Sequence, residues 1–171
     1  MLRSRRAIIA FIAAIVLLAV GLAVGAGVWV AWRVQHHPYR AMSEAMSPTI
    51  HAGDILIPDF GAYRDQTIAR GDIITYIAPD SPSGRPFVGR IVAIDGDTVR
   101  IANGKLYVND APVEEPYLAE PIYYTAEELT VPPGHVYVLG DNRNDSNDSH
   151  LFGPVRVDAI QAKVVEIRPA P

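Results

Sequence analysis

The feature that most constrains the fold of this chain is a long apolar run near its N-terminus. From Ala7 to Trp32, 26 consecutive residues carry no charged side chain. As a helix with a rise of about 1.5 Å per residue, this run would be about 39 Å long, against a hydrocarbon core of about 30 Å. The sequence therefore predicts one transmembrane α-helix over residues 7–32, which spans the lipid bilayer with some tilt.

Charged residues on either side of this run predict how it lies in the membrane. Arg33 and Arg40 follow it, and three arginines precede it, namely Arg3, Arg5 and Arg6. The positive-inside rule then places the N-terminus in the cytoplasm and the main domain outside the plasma membrane. A cleaved signal peptide is the alternative, but its apolar region is typically about 7–15 residues long, so a retained single-pass anchor is favoured.

We accordingly divide the chain into a basic cytoplasmic tail (1–6), the anchor (7–32), a linker (33–40) and an extracytoplasmic domain (41–171). Four of the 15 basic residues and none of the 19 acidic residues lie in residues 1–33, which leaves a formal charge of −8 on the rest. This excess of acid argues against a nucleic-acid partner. The chain has no cysteine, so it can form neither a disulfide nor a thiolate metal site. We expect no metal and no cofactor.

The outer part of the chain alternates short runs of β-branched and aromatic residues with turn residues. The runs at 73–77 and 87–94 are typical of strands, and Asn103-Gly104 is typical of a two-residue type I′ hairpin turn. Outside the anchor the sequence has no helical periodicity, although a short helix would fit Thr125–Leu129. We therefore predict a mainly β domain, formed by folded antiparallel sheets or a barrel.

Two polar loops hold the residues that could carry chemistry. The first, Ser43–Ile50, combines small hydroxyl residues with a Met and a Pro-Thr pair, a mixture that favours neither a helix nor a regular strand. The second, Gly140–His150, is dense in Asn, Asp and Ser, whose side chains bond their own backbone in tight turns. Arg143 stands among these acids and amides, so we expect an ion-pair network internal to the loop.

Taken in order, these segments resemble the type I signal peptidase family over nearly the whole chain. Ser43–Thr49 resembles the nucleophile box Ser-x-Ser-Met-x-Pro-Thr, and Phe87–Val92 is similar to the lysine box (Tyr/Phe)-Val-Lys-Arg-Val. Gly140–Ser149, with Phe152-Gly153-Pro154-Val155 after it, looks like the last box. The resemblance implies a β-rich domain on the outer membrane face that removes signal peptides from exported proteins with a Ser–Lys dyad.

The resemblance fails at the two reacting positions. The nucleophile position is Ala45 and the general-base position is Gly89, so no catalytic residue is intact. A serine hydroxyl attacks only with a base beside it, and a lysine serves as that base only when burial lowers its pKa. The chain has two lysines, Lys105 and Lys163, and neither lies in the lysine box. We interpret the chain as a family member that lost the dyad as a unit and kept the scaffold.

Other box positions keep their residues, and the resemblance implies a role for each group of them. The candidates beside the oxyanion and the base are Ser43 and Ser146. The candidates for a substrate groove are Met46, Pro48, Phe87 and Val88. The candidates for a structural network are Asp141, Asn142, Arg143, Asp148, Ser149 and His150. The last of these replaces the family's arginine, and a neutral imidazole there would weaken an ion pair with Asp148.

Three functions stay open at this point. The chain would be a catalytically silent homologue that binds extended peptides or signal-peptide segments, alone or beside a dyad-complete peptidase or a surface-assembly partner. Alternatively, it would be an active serine endopeptidase in which Ser43 or Ser47 attacks, with His51, His150 or an aspartate as the base. The third alternative is a structural subunit of a membrane complex.

Overall fold

The structure, a computed structural model, describes residues 15–30, 38–79, 81 and 84–170. The chain divides into two compact units, with the boundary between residues 37 and 38. We describe each unit by itself.

In the first unit, residues 15–30 form a helix, α1, whose side chains are exposed. Among the described residues, no helix is both long enough and apolar enough to cross a membrane. The two ends of the predicted anchor (7–32) lie outside the described residues, as do the predicted tail (1–6) and most of the linker (33–40).

The second unit is built from β-strands. Its described residues form eleven strands, which in chain order are β1 (Tyr39–Arg40), β2 (Ile55–Asp59), β3 (Ile73–Tyr76), β4 (Phe87–Ile94), β5 (Thr98–Ala102), β6 (Lys105–Val108), β7 (Ala111–Pro112), β8 (Ala126–Thr130), β9 (His135–Leu139), β10 (Val155–Arg156) and β11 (Ile160–Arg168). A seven-stranded sheet has the order β1-β2-β11-β3-β4-β9-β10, and a four-stranded sheet has the order β7-β6-β5-β8. All neighbouring strands run antiparallel. The prediction of a mainly β domain of folded antiparallel sheets is confirmed.

The hairpin between β5 and β6 forms where the sequence predicts it. Ala102 pairs with Lys105, so Asn103 and Gly104 are the two turn residues. Their φ angles are 53° and 75°. A type I′ turn needs positive φ at both central positions, which Asn and Gly adopt more readily than other residues. The hairpin prediction is therefore confirmed.

The predicted helix at Thr125–Leu129 is wrong, because Ala126–Thr130 is strand β8. Leu129 pairs with Val99 of β5, and Thr130 pairs with Thr98. The pairing satisfies the backbone groups of this segment, and such tertiary pairing outweighs the weak helix propensity of its Glu and Leu residues. Short helices do form elsewhere in the second unit, at Ala62–Asp65 (α2) and Ser149–Phe152 (α3).

The core of the second unit has three parts. One lies between the two sheets, and its members include Ile101, Leu106 and Leu139. Another covers one face of the larger sheet around Ile74 and Val138. The third holds the first polar loop in place and consists of Ala41, Met46, Ile50, Leu56 and Val164. Burying a side chain such as Met46 or Ile50 stabilises the fold by about 1.5–3 kcal/mol, so the loop Ser43–Ile50 is fixed by its own apolar residues.

Candidate functional site

The two polar loops predicted to carry the site meet where β9 ends. The backbone N–H of Asn142 donates to the carbonyl oxygen of Ala45 at 3.0 Å. The Asn142 side-chain amide donates to the carbonyl of Glu44 at 3.1 Å. The hydroxyl of Thr49 donates to Oδ2 of Asp141 at 2.5 Å. These three hydrogen bonds dock the loop Ser43–Ile50 against the loop Gly140–His150.

Gly140 allows this close docking because it has no side chain. A Cβ atom at Gly140 would overlap the hydroxyl of Ser146 and the carbonyl oxygen of Ala45. Both groups therefore pack against the same face of the glycine, which brings Ser146 next to position 45. The N–H of Gly140 donates to Oδ2 of Asp148 at 2.8 Å and fixes the glycine from the other direction.

Position 89 lies on β4, one strand away from Gly140. Gly89 pairs with Ile74 of β3, and the next residue, Arg90, pairs with Leu139 of β9. A Cβ atom at Gly89 would stand 2.5 Å from Cγ1 of Val138 and 3.3 Å from Cε1 of Tyr76. A side chain could begin at position 89 only if Val138 moved, and Tyr76 would also have to give way by a few tenths of an ångström. Positions 45 and 89 both adjoin the end of β9, since the Ala45 carbonyl packs against Gly140 and a Cβ atom at Gly89 would stand 3.5 Å from the carbonyl oxygen of Leu139.

Neither lysine of the chain replaces the missing amine. Lys105 begins β6 and is exposed. Lys163 lies on β11 opposite Ile74 of β3, two strands away from Gly89, and its Nζ atom lies 2.7 Å from Oδ1 of Asp72, with which it forms an ion pair.

Arg90 and Asp141 form a buried bidentate ion pair behind the docked loops. Nε and Nη2 of Arg90 donate to the two carboxylate oxygens of Asp141 at 2.8 and 2.6 Å. A third donor, Nη1, reaches the carbonyl of Gly71 at 3.1 Å. Burial would lower the pKa of Arg90, but Asp141 outweighs it and raises the pKa, so the guanidinium stays charged. Because Asp141 also accepts from Thr49, one carboxylate joins β4 to the first loop.

Arg143 finds its ionic partner outside its own loop, which corrects the prediction of an internal network. Nη1 and Nη2 donate to the two carboxylate oxygens of Glu115 at 2.7 and 2.6 Å. The Nε atom donates to the carbonyl of Gly140 at 3.0 Å. The reason lies in the geometry of the loop: Asp141 faces Arg90 and Asp148 accepts backbone N–H groups, whereas the Arg143 side chain points into the core with only 1% of its surface exposed.

The end of the second loop returns to β9 through the start of α3. Asp148 precedes α3 and accepts the N–H of His150 at 3.1 Å. The Nδ1 atom of His150 lies 2.7 Å from Oδ1 of Asp148, and its ring stacks on Tyr124 with the centroids 4.3 Å apart. The hydroxyl of Ser149 accepts the N–H of Val138 at 3.0 Å. The imidazole therefore stays in contact with Asp148 in place of an arginine.

Of the serines offered by the alternative of relocated chemistry, Ser47 contacts a histidine, but the contact does not have the geometry of a Ser-His-acid triad. The Ser47 hydroxyl lies 3.4 Å from Nδ1 of His51, and Oε2 of Glu44 lies 3.1 Å from the same nitrogen. In a Ser-His-acid triad, the histidine accepts the serine proton at one ring nitrogen while the acid holds the other nitrogen. One nitrogen cannot do both. Ser43 is exposed at the start of the loop.

The groove candidates divide between core and surface. Met46 is 2% exposed and belongs to the core behind the first loop. Pro48 is exposed on the same loop, and Phe87 and Val88 are half-buried at the start of β4. A contact with a ligand therefore stays a prediction for the last three, whereas Met46 supports the loop from within.

The sequence alone does not identify several residues that surround the two docked loops and position 89, chiefly Glu115, Tyr117 and Val138. Glu115 and Tyr117 lie in the acidic segment between β7 and β8, where their types suggest only a solvated surface. Val138 is one apolar residue of a strand. Within the part of the chain that the structure describes, no three carboxylate or imidazole side chains converge to hold a metal ion.

Comparisons with known proteins converge on one family. The family model described as signal peptidase, peptidase S26, matches residues 7–168. A probable signal peptidase I-1 from Synechocystis sp. is 38% identical over 117 residues, which cover 65% of this chain and 60% of that protein. Thylakoidal processing peptidase 1 from Arabidopsis thaliana is 39% identical over 75% of this chain and 40% of its own length. Signal peptidase I from Bacillus caldolyticus is 36% identical over 74% of this chain and 75% of its own length.

The matched region thus spans 60% or less of the first two relatives. Among solved structures, the crystal structure of a signal peptidase I from Enterococcus faecalis V583 matches with a TM-score of 0.51 and 28% sequence identity. The match covers 58% of this chain and 98% of that chain.

Proposed function

This chain belongs to the signal peptidase family, peptidase S26, and we propose that it is a catalytically silent member that binds extended peptides without cutting them. One observation carries the proposal. The Gly89 position has no amine, and Val138 stands so close to it that a side chain there would force this residue to move. The loop that holds Ala45 nevertheless keeps its docking bonds to the second loop. The serine hydroxyl and the lysine amine are absent, whereas the hydrogen bonds that join the two loops around their positions are present.

The proposed ligand of the two docked loops is an extended segment of an exported protein. Signal peptides end in small residues of the Ala-x-Ala type near the cleavage point. Peptides of this kind offer backbone groups to a fixed loop and demand little side-chain volume, which suits the surface beside Ala45, Pro48 and the half-buried start of β4. The bound segment would then pass to a dyad-complete peptidase or to a surface-assembly partner.

The membrane anchor is part of the same proposal. Residues 7–32 would cross the plasma membrane once, with the tail 1–6 in the cytoplasm and the domain 41–171 outside. The charge distribution supports this orientation, since the arginines of the first six residues precede the apolar run. An anchored domain would meet exported chains as they leave the membrane.

Peptide binding and cleavage by the full chain in detergent micelles test the proposal together. The probe is a fluorescent peptide with an apolar segment followed by Ala-Gln-Ala, and its anisotropy reports binding while mass spectrometry reports cleavage. We expect saturable binding and no cleaved product. Thr49→Val breaks the bond to Asp141 and should weaken binding by about ten-fold or more, as for the loss of one hydrogen bond to a charged group. Thr130→Val, on the exposed strand β8, is the matched control and should bind as the parent chain does.

An active endopeptidase is the second candidate, because Ser47, His51 and Glu44 lie in mutual contact. It requires cleavage of the same probe by the unaltered chain, and loss of that cleavage on Ser47→Ala. The shared Nδ1 atom of His51 speaks against it, since the serine and the carboxylate compete for one nitrogen. Cleavage that disappears in the Ser47→Ala variant would replace the silent-binder proposal with this one.

A further inference from the structure

We propose that Glu115 and Tyr117, which lie between β7 and β8, position the two loops of the peptide site. This inference rests on the peptide-binding function proposed above. It assigns a role to a segment that lies outside every box of the family resemblance.

Glu115 acts on the second loop through Arg143. Its two carboxylate oxygens accept hydrogen bonds from Nη1 and Nη2 of Arg143, at 2.7 and 2.6 Å. The remaining guanidinium donor, Nε, holds the carbonyl oxygen of Gly140 at 3.0 Å. Gly140 is the residue against which the Ala45 carbonyl and the Ser146 hydroxyl pack. Glu115 thus fixes the backbone at the point where the two loops touch.

Tyr117 acts on the first loop through Arg90. Its hydroxyl donates to Oε1 of Glu115 at 2.7 Å, and its ring lies under the guanidinium of Arg90, 4.1 Å from the ring centroid. Arg90 in turn holds Asp141, which accepts from Thr49. Burial, together with the neighbouring Glu115 carboxylate, raises the pKa of Tyr117, so the hydroxyl keeps its proton and remains the donor.

The burial of these charges makes the arrangement stiff. The side chains of Arg143, Glu115 and Asp141 are 1%, 5% and 0% exposed. Moving either loop away would separate buried opposite charges, and a buried charge without its partner is strongly unfavourable. The site is therefore pre-organised before a peptide arrives, which reduces the ordering that binding would otherwise require.

The decisive experiment measures hydrogen exchange of the Asn142 amide in the full chain in detergent, with no peptide present. This amide bonds to the Ala45 carbonyl, so its protection reports directly on the contact between the loops. Glu115→Gln should speed its exchange at least about ten-fold, because one member of a buried ion pair loses its charge. The Ile77 amide, which bonds to the carbonyl of Ala159 outside the network, should keep its protection. Peptide affinity should fall in the same variant.

Two controls separate positioning from general destabilisation. Glu114→Gln alters the exposed neighbour and should change neither exchange nor binding. Asp97→Asn breaks the ion pair to Arg70, outside the site, and should lower stability without faster exchange at Asn142. If Glu115→Gln does not fold, Tyr117→Phe removes only the hydroxyl and should give a smaller change in the same direction.

The outcomes are distinguishable. Unchanged Asn142 exchange in both Glu115→Gln and Tyr117→Phe overturns the positioning role, whatever the peptide result. Equal acceleration in Asp97→Asn also overturns it, because the effect would then be global. Faster exchange in a chain that binds no peptide at all leaves the positioning role standing and removes the proposed function instead.

Discussion

Val138 stands where a side chain at Gly89 would begin. A Cβ atom at position 89 would lie 2.5 Å from Cγ1 of Val138, closer than two carbon atoms pack without one of them moving. Both residues are buried and lie on neighbouring strands, β4 and β9. The core has therefore closed over the position at which the family resemblance places a lysine.

Gly89→Ala should destabilise the domain, although alanine is ordinarily preferred to glycine in a strand. Overpacking of a buried site costs about 1–3 kcal/mol, which exceeds the gain of about 0.5–1 kcal/mol expected from leaving glycine. Val138→Ala in the same chain should recover part of the loss, since it removes the obstructing methyl group. Urea unfolding of the single and double variants measures this coupling. Purely additive effects would show that the two positions do not compete for space.

Peptidase activity should return only when both missing groups are supplied together with space for the lysine. We expect weak cleavage from the triple variant Ala45→Ser, Gly89→Lys, Val138→Ala, and none from Ala45→Ser or Gly89→Lys alone. A buried amine has a lowered pKa and can act as the base for a serine beside it. Mass spectrometry of a cleaved preprotein checks the product. A triple variant that folds and docks its loops as the parent does, yet cuts nothing, would contradict this expectation.

Local signals allowed much of the fold to be predicted from sequence. The Asn103-Gly104 turn depends on two adjacent residues, and the structure forms it as expected. The prediction failed for Ala126–Thr130, which forms a strand and not a helix, because its pairing with β5 is a long-range contact that its own composition does not reveal.

The site shows the same division between local and distant information. The box motifs named Ala45 and Gly89, but the partner of Arg143 is Glu115, which lies 28 residues away in the chain. No spacing rule connects those two residues, because the path between them runs through a second sheet. The filling of the Gly89 space by Val138 depends on strand register, which a single sequence does not specify.

Acid should weaken the domain through Asp97, which binds Arg70 and caps the N–H of Ile94. Burial alone would raise the pKa of Asp97, but Arg70, the Ile94 amide and Asn109 outweigh it and hold the pKa below its ordinary value. A carboxylate with a lowered pKa contributes stability above its unfolded-state pKa of about 3.9 and loses that contribution as pH falls through its folded-state pKa.

Asp97→Asn should therefore lower stability near neutral pH, by about 1 kcal/mol, and flatten its decline on acidification below about pH 4. Unfolding by urea at several pH values measures both effects. Asp110→Asn, which alters an exposed acid in the turn between β6 and β7, is the control. Parallel pH profiles for Asp97→Asn and the parent chain would rule out this carboxylate as the source of the decline.

Membrane orientation can be read with single cysteines, because the natural sequence contains none. Ser4→Cys should resist a membrane-impermeant maleimide in intact cells and react after lysis. Thr125→Cys, at an exposed position before β8, should react in intact cells. The expectation follows from the arginines that precede the apolar run. The reverse labelling pattern would overturn the proposed orientation.

The packing around Gly89 also has an evolutionary consequence. At position 45, an exchange between alanine and serine adds or removes one oxygen on a half-exposed side chain, so a drifting sequence can cross it in either direction. At position 89, any side chain larger than hydrogen meets Val138, so replacing Gly89 alone would lower the stability of the domain without restoring activity. Restoring a serine at position 45 would therefore need a single substitution, whereas restoring a lysine at position 89 would need a second change that clears the space taken by Val138.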